Sequence, residues 1–324
     1  MGPAALPGRV SDPILQRVQA CTGARTARRG ERIQSLWSGY GELYRVDLQG
    51  AEVPSVIVKS VRPPSDPTHP RGWSGDRGHQ RKLRSYDVEL AFYWERSGGC
   101  PAACRVPRLL DGARDDAGWL FVLEDLDAAG FPQRRRSDAG AMWQVVDWLA
   151  AFHATFLGDG AAGLWPTGTY WHLATRPDEL EGMAPGPLKE AAAAIDARLT
   201  AAAHPTLVHG DAKLANFCFG TKGVAAVDFQ YVGGGCGLKD LAYFLGSVLN
   251  DAGLARNADL ALDRYFRALG AHLGAEAKEV EAAWRPLWPF AWADFERFLA
   301  GWAPGHWKRT GYAARQTDRA LRAL

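Results

Sequence analysis

The stretch Leu207-Val-His-Gly-Asp-Ala-Lys-Leu-Ala-Asn-Phe-Cys-Phe-Gly-Thr-Lys-Gly-Val-Ala-Ala-Val-Asp228 constrains the fold more tightly than any other part of the chain. Phe217 to Phe219 and Val224 to Val227 are two short apolar runs, and Gly220-Thr-Lys-Gly223 between them is the turn of a tight hairpin. Pairing Phe219 with Val224 brings Asn216 opposite Val227, one residue from Asp228. Asp211, five residues before Asn216, lies on the loop that feeds the ribbon. One amide and two carboxylates thus converge at one end of one hairpin. Oxygen donors of this kind suit Mg²⁺, a hard ion that keeps some waters and bridges to phosphates.

Composition narrows the class. A chain of 324 residues is about twice the ~150 of an average domain, which predicts two domains or lobes. Lys and Arg number 38 against 36 Asp and Glu, so a net charge of +2 offers no bulk attraction to nucleic acid or an anionic membrane. The five cysteines are scattered without paired spacing, which speaks against a zinc site and a disulfide framework. The start lacks the apolar stretch of a signal peptide, and no run approaches the ~18 apolar residues of a membrane span. The expectation is a reduced, cytoplasmic, soluble protein.

Along the chain, residues 1–30 read as an N-terminal extension with three prolines, five arginines and a short helix from Pro13 to Ala20. From Arg32 to Val61 the pattern changes: Leu43-Tyr-Arg-Val-Asp-Leu48 alternates and Val53 to Val61 is rich in β-branched residues, as in antiparallel strands. Residues 62–79 hold four prolines and three glycines and read as a loop. Leu83, Tyr86, Leu90 and Tyr93 form the stripe of a helix over Lys82 to Arg96, and Trp119 to Leu123 is a buried strand. The segment 127–137 is the seam between lobes. Beyond it the chain is mainly helical, with Ser137 capping a helix striped by Met142, Val145, Leu149, Phe152 and Phe156 and stopped at Gly158. The fold expected is α+β and bilobal: an N-lobe over 31–126 with a small antiparallel sheet, and a larger, mainly helical C-lobe over 127–324.

The spacing Asp-x4-Asn, with a second Asp twelve residues on, is that of kinases, where the first Asp takes the substrate hydroxyl proton and the other two hold the metal. His209-Gly210-Asp211 with Asn216, then Asp228-Phe229, resembles the aminoglycoside phosphotransferase and choline kinase superfamily, which has a protein-kinase-like fold. The Lys82-Leu-Arg-Ser-Tyr-Asp-Val-Glu89 helix and Val227-Asp-Phe-Gln230 are most similar to its ecdysteroid-kinase-like branch. The likeness covers roughly residues 33–250 and is strongest over Asp211–Asp228. It implies ATP and Mg²⁺ as cofactors, a small-molecule alcohol as acceptor, Asp211 as catalytic base, and Asn216 and Asp228 as metal ligands. Lys213, two residues past Asp211, is a candidate to neutralise the transferring phosphate and equally a surface lysine.

Upstream residues fall in the order that the resemblance implies. Gly39-x-Gly41-x-x-Tyr44 stands where a glycine loop covers phosphates, although Tyr44 replaces the third glycine and a plain hairpin turn explains the pattern as well. Lys59 ends a β-branched strand. Glu89 lies on the apolar stripe of its helix, where a carboxylate is costly without a cation, so a Lys59–Glu89 pair gripping the nucleotide phosphates is expected. Glu124 and Leu126 follow the Trp119–Leu123 strand at the family's adenine-binding position. By resemblance His209 braces the catalytic loop. Asp240 reads as a helix N-cap and, by resemblance, as the aspartate that steadies that loop, two compatible roles, and His153 reads as a packed core histidine.

Specificity is fainter. Trp284, Trp288, Trp292, Phe295 and Leu299 approximate one helical face, read as core or as an aromatic acceptor pocket for a flat apolar molecule or a cation. Asp294 and Glu296 are candidate negative charges there, and Tyr170 to Arg176 is another candidate wall. The C-terminal part is not acidic enough to demand an aminoglycoside. An aminoglycoside or choline-type kinase and a non-catalytic nucleotide-binding protein are the alternatives to a general small-molecule kinase. A protein kinase is disfavoured, since no long activation loop and no Ala-Pro-Glu follow Asp228.

Overall fold

A computed structural model describes residues 12–36, 39–63, 76–136 and 139–324. The chain folds as two compact units, one drawn from Met1–His79 and Pro107–Ala129 and the other from Gln80–Val106 and Gly130–Leu324. Most of the loop expected at 62–79, namely residues 64–75, and the expected cap Ser137 lie outside the described residues.

The first unit is a five-stranded antiparallel sheet. Its helix α1 (Pro13–Thr22) begins where the Asp12 carboxylate accepts from the Ile14 N–H at 2.9 Å and ends at Gly23, whose φ of 69° suits the left-handed cap. The strands β1 (Thr26–Ser35), β2 (Gly41–Gln49), β3 (Ser55–Val61), β4 (Leu109–Asp115) and β5 (Gly118–Glu124) lie in the order β1-β2-β3-β5-β4. The alternation in β2 has the expected result: Tyr44, Val46 and Leu48 join Val56, Val58, Val122 and Val18 of α1 in one apolar core. β1 and β4 are the two edges, and neither is announced by apolar alternation. β1 is an exposed, Arg-rich strand held by backbone pairing to β2, so the expected short helix at Pro13 forms as α1 while Thr26 to Gly30, placed in a patternless extension, belong to a strand.

Helix α2 (Asp76–Glu95) starts six residues before Lys82, because its polar first turns carry no apolar period. From Gln80 on it belongs to the second unit. There, α3 (Ala139–Thr155), α4 (Pro177–Glu181), α5 (Pro187–Glu190) and α6 (Ala192–Thr200) precede the ribbons β6 (Thr206–Val208), β7 (Phe217–Gly220), β8 (Gly223–Ala226) and β9 (Gly233–Gly235). The chain then closes with α7 (Leu238–Val248), α8 (Asp251–Leu273), α9 (Ala277–Trp284), α10 (Trp288–Trp302) and α11 (Gly311–Arg322). The core is aromatic: Phe92 of α2 stacks on Phe229 with centroids 4.0 Å apart, and Trp148 stacks on Phe152 of α3 at 5.0 Å.

The tryptophan stripe near the C-terminus is core. Trp284, Trp288, Trp292, Phe295 and Leu299 are all buried. Pro286 sits in a 3₁₀ turn and Pro289 in the first turn of α10, where a missing N–H costs nothing. Asp294 is not an acceptor-facing charge. It is fully buried, receives Arg297 Nη2 at 2.9 Å and Trp171 Nε1 at 3.0 Å, and pairs with Lys239 Nζ at 3.2 Å. Burial alone would raise its carboxyl, but Lys239 and Arg297 hold it at about 2 against an ordinary 3.8. A depressed carboxyl stabilises the fold above the ordinary value, and that contribution fades as pH falls through the folded-state value. Asp294→Asn strands two buried cations; we expect a loss of about 3–5 kcal/mol and a flatter acid limb of stability against pH, read by urea unfolding.

Candidate active site

The loop before the β7–β8 hairpin is held from behind by one buried carboxylate. Asp240 accepts from the His209 N–H at 2.5 Å and the Gly210 N–H at 2.9 Å. It stands in the first turn of α7, whose cap position is Gly237, so it is no N-cap and fills the loop-steadying position. His153 Nε2 lies 3.2 Å from Asp240, and its Nδ1 lies 2.8 Å from the Tyr265 hydroxyl. His153 is therefore a buried relay of hydrogen bonds as well as a packed residue. Gly210 has φ 80°, and a Cβ there would lie 2.1 Å from the Tyr231 carbonyl oxygen, so only glycine fits. His209 accepts from the Asp211 N–H at Nδ1 (3.2 Å) and donates from Nε2 to the Val227 carbonyl (3.1 Å), which ties the loop to the hairpin end.

Asp211 projects from this frame with both carboxylate oxygens engaged. Tyr243 Oη donates to Oδ1 at 2.8 Å, Lys213 Nζ to Oδ2 at 2.7 Å, and Asn216 Nδ2 to Oδ2 at 3.3 Å. A carboxylate offers about four acceptor positions, so one is left. Burial pushes the Lys213 ammonium down, but the Asp211 and Asp228 carboxylates outweigh it and leave it above its ordinary value. Asp228 therefore acts on the same ammonium as Asp211.

The hairpin forms in the expected register, with Phe219 opposite Val224. Val227 N–H donates to the Asn216 carbonyl at 2.9 Å, which sets Asn216 beside Asp228. Asn216 Nδ2 also donates to the Asp211 carbonyl at 2.9 Å, which makes Oδ1 the acceptor atom of its amide. Asp228 adopts a left-handed φ of 70°, unusual for a non-glycine residue, with Phe229 anchored in the core beside it. An amide oxygen and a carboxylate are hard donors and fit Mg²⁺. Among the described residues no group of three or more His, Cys, Asp or Glu side chains is placed to hold a metal ion. Glu89 is buried on the α2 stripe, and it and Asp228 both add to the burial that drives the Tyr93 hydroxyl pKa well up.

The remaining predicted residues lie in the first unit. Lys59 is buried in the central strand β3. Gly41 has φ 135° and a Cβ there would lie 2.0 Å from the Ser60 carbonyl oxygen, so close β2–β3 approach already requires glycine. Gly39 has φ 75°; Trp37 and Ser38 before it are outside the described residues. Glu124 ends β5, Leu126 is buried, and Asp125 between them takes Arg45 Nε at 2.6 Å and Ser55 Oγ at 2.7 Å, which pins this segment.

A family model described as the phosphotransferase enzyme family matches residues 79–287. The chain belongs to this family. It is a kinase-type phosphotransferase. Solved structures share its fold at low identity. The microcompartment-associated aminopropanol kinase is 15% identical over 95% of this chain and 93% of its own, with a TM-score of 0.50. Amicoumacin kinase hAmiN, solved with AMP-PNP, Ca²⁺ and Ami, is 14% identical over 97% and 93%, with a TM-score of 0.51. A thermostable mutant of aminoglycoside phosphotransferase APH(4)-Ia is 15% identical over 91% and 95%, with a TM-score of 0.50. No curated protein sequence matches the chain.

Two residues near Asp211 of this phosphotransferase escaped the sequence reading. Tyr243 sits in an apolar run that reads as core. Lys308, in the loop between α10 and α11, carries no motif at all. Its Nζ lies over the Tyr243 ring, 4.6 Å from the centroid, and burial, with some help from Lys213 and against the pull of Asp211, lowers its pKa to about 8. Asp240→Ala leaves two buried N–H groups without an acceptor. We expect a loss of about 2–4 kcal/mol in chemical denaturation, together with a sharply faster amide exchange at His209 and Gly210.

Proposed function

We propose that the chain is a small-molecule kinase that moves the γ-phosphoryl group of ATP to an alcohol. The observation that carries this is the Asp211 carboxylate, fixed by Tyr243, Lys213 and Asn216 with one acceptor position to spare. An acceptor hydroxyl donating into that position is oriented for attack. As the acceptor oxygen bonds to the γ-phosphorus and the bond to the β,γ-bridging oxygen breaks, Asp211 takes the hydroxyl proton and ADP leaves. Lys213 supplies positive charge beside the transferring group. Asn216 Oδ1 and Asp228 would hold Mg²⁺, which supplies charge neutralisation at the phosphates when bound. Most of the acceleration comes from positioning and electrostatics, because the transition state is loose.

On this reading residues 31–126 bind the nucleotide, through the Gly39–Gly41 turn, Lys59 paired with Glu89, and the backbone at Glu124 and Leu126; residues 127–324 supply the catalytic loop and acceptor site. The ecdysteroid-kinase-like branch is the reading favoured within the family. Lys82 Nζ and Ser85 Oγ, from one of the two stretches that carry the likeness, reach Gln230 Oε1 of the other at 2.7 and 3.3 Å. All five cysteines are free, and among the described residues no helix is long and apolar enough to cross a membrane.

Asp211→Asn keeps the shape and removes the proton acceptor. Magnesium-dependent ATP turnover with a mixed alcohol panel should fall by ~10²–10⁴-fold with ATP affinity kept, and wild-type turnover in the variant would remove Asp211 from this role. Tyr243→Phe should lower turnover by roughly 10-fold or more, the worth of one hydrogen bond to a charged group, with unfolding free energy falling by about 1–3 kcal/mol in chemical denaturation.

A further inference from the structure

The surface beside Asp211 carries cations where a kinase for polyamines or quaternary ammonium alcohols needs anions. Three carboxylates of the second unit are already matched by cations of the chain. Glu296 takes Arg309 Nε at 2.7 Å, Glu179 takes Arg176 Nη1 at 3.0 Å, and Asp294 is closed by Lys239 and Arg297. Lys308 has no ion-pair partner among the described residues. Its ammonium lies 4.6 Å from the Tyr243 ring centroid and 5.7 Å from those of Phe295 and Trp307. Tyr243 is the residue that donates to Asp211. The aromatic face nearest the proton acceptor is thus capped by the chain's own cation, in the place where a ligand ammonium would sit.

A second observation points the same way. Phe298, Trp302, His306 and Trp307 stack in sequence, with centroids 5.7, 5.7 and 5.9 Å apart, and the ladder ends at Trp307, which is 59% exposed next to Lys308. Arg81, which donates to the Thr175 carbonyl at 2.7 Å, lies near Arg176 and Tyr231 as well as Glu179 and Asp178. A half-buried ammonium with no close ion pair among the described residues, beside an exposed ring, is matched by a ligand that brings an anion on a flat apolar body.

We propose that the acceptor alcohol carries an anionic group beside a planar apolar body, and that Lys308 binds that group while Trp307 stacks on the body. This rests on the small-molecule kinase reading and deepens it. A polycation or a choline-like alcohol meets like charge at Lys308, so the same residue selects against them.

The test uses three alcohols of one shape and different charge: para-hydroxymethyl benzoate, benzyl alcohol and para-hydroxymethyl benzylamine. Their affinities are measured by calorimetry or ligand-observed NMR on the full chain without nucleotide, which separates this inference from the chemistry of Asp211. The benzoate is expected to bind roughly 10- to 100-fold more tightly than the neutral alcohol, and the benzylamine most weakly. Lys308→Met should abolish the preference for the benzoate, and Lys308→Arg should keep it. Binding of none of the three, equal or tighter binding of the benzylamine, or an unchanged order in Lys308→Met overturns the proposal. So does a Lys308→Met variant that slows transfer to every probe equally with affinities unaltered, because Lys308 then serves the transferring phosphate. A benzoate preference in a protein that turns over no ATP leaves this inference standing and sinks the kinase reading alone.

Discussion

The buried carboxylate of Asp240, accepting two consecutive backbone N–H groups at His209 and Gly210, is the interaction on which the rest of the site depends. A turn that brings successive N–H groups into a dry interior needs an acceptor, and an ionised carboxylate in that interior needs donors. Each requirement answers the other. His153 and Tyr265 extend the network into the helices behind, so the loop is fixed to α3, α7 and α8 at once. Asp211 inherits its position from that frame, and Tyr243, on the same helix as Asp240, sets its direction.

Charge in the second unit is arranged by pairing rather than by net excess. Asp294 with Lys239 and Arg297 forms a closed set in which each ion meets a partner at 3.2 Å or less. Such a set is a poor source of stability against an apolar core of equal volume, but it is unforgiving of a lost member. Its consequence is indirect: carboxylates consumed in structural pairs cannot shape the field at the surface beside Asp211. What remains there is set by Lys213 and Lys308. The two lysines differ in kind. Lys213 is tethered to Asp211, whereas Lys308 rests on aromatic faces.

The legible parts of the structure are those with a local cause. The β7–β8 register follows from a four-residue turn and two apolar runs, and it brings Asn216 beside Asp228 without reference to any distant residue. The stripes of α2 and α3 and the alternation of β2 are read in the same way, since each face is decided by residues a few positions apart. The edges of the sheet escape this logic. β1 presents charged side chains to solvent and is held by backbone hydrogen bonds, which leave no mark on side-chain pattern. The early start of α2 is hidden likewise by polar first turns.

Site residues divide along the same line. Asp211, Asn216 and Asp228 lie within eighteen positions of one another, and their spacing and chemistry are visible in the chain. By itself the sequence determined a kinase-like family, a hairpin that gathers oxygen donors, and two lobes of contrasting composition, because these depend on short-range periodicity and on side-chain chemistry at close spacing. Only the tertiary structure decided that Asp294 is a buried counter-ion, that Tyr243 holds Asp211, and that Lys308 lies over Tyr243. Those roles come from contacts between residues 3 to 123 positions apart, and a polar side chain in an apolar helix is the same letter whether it meets a cation, a carboxylate or water.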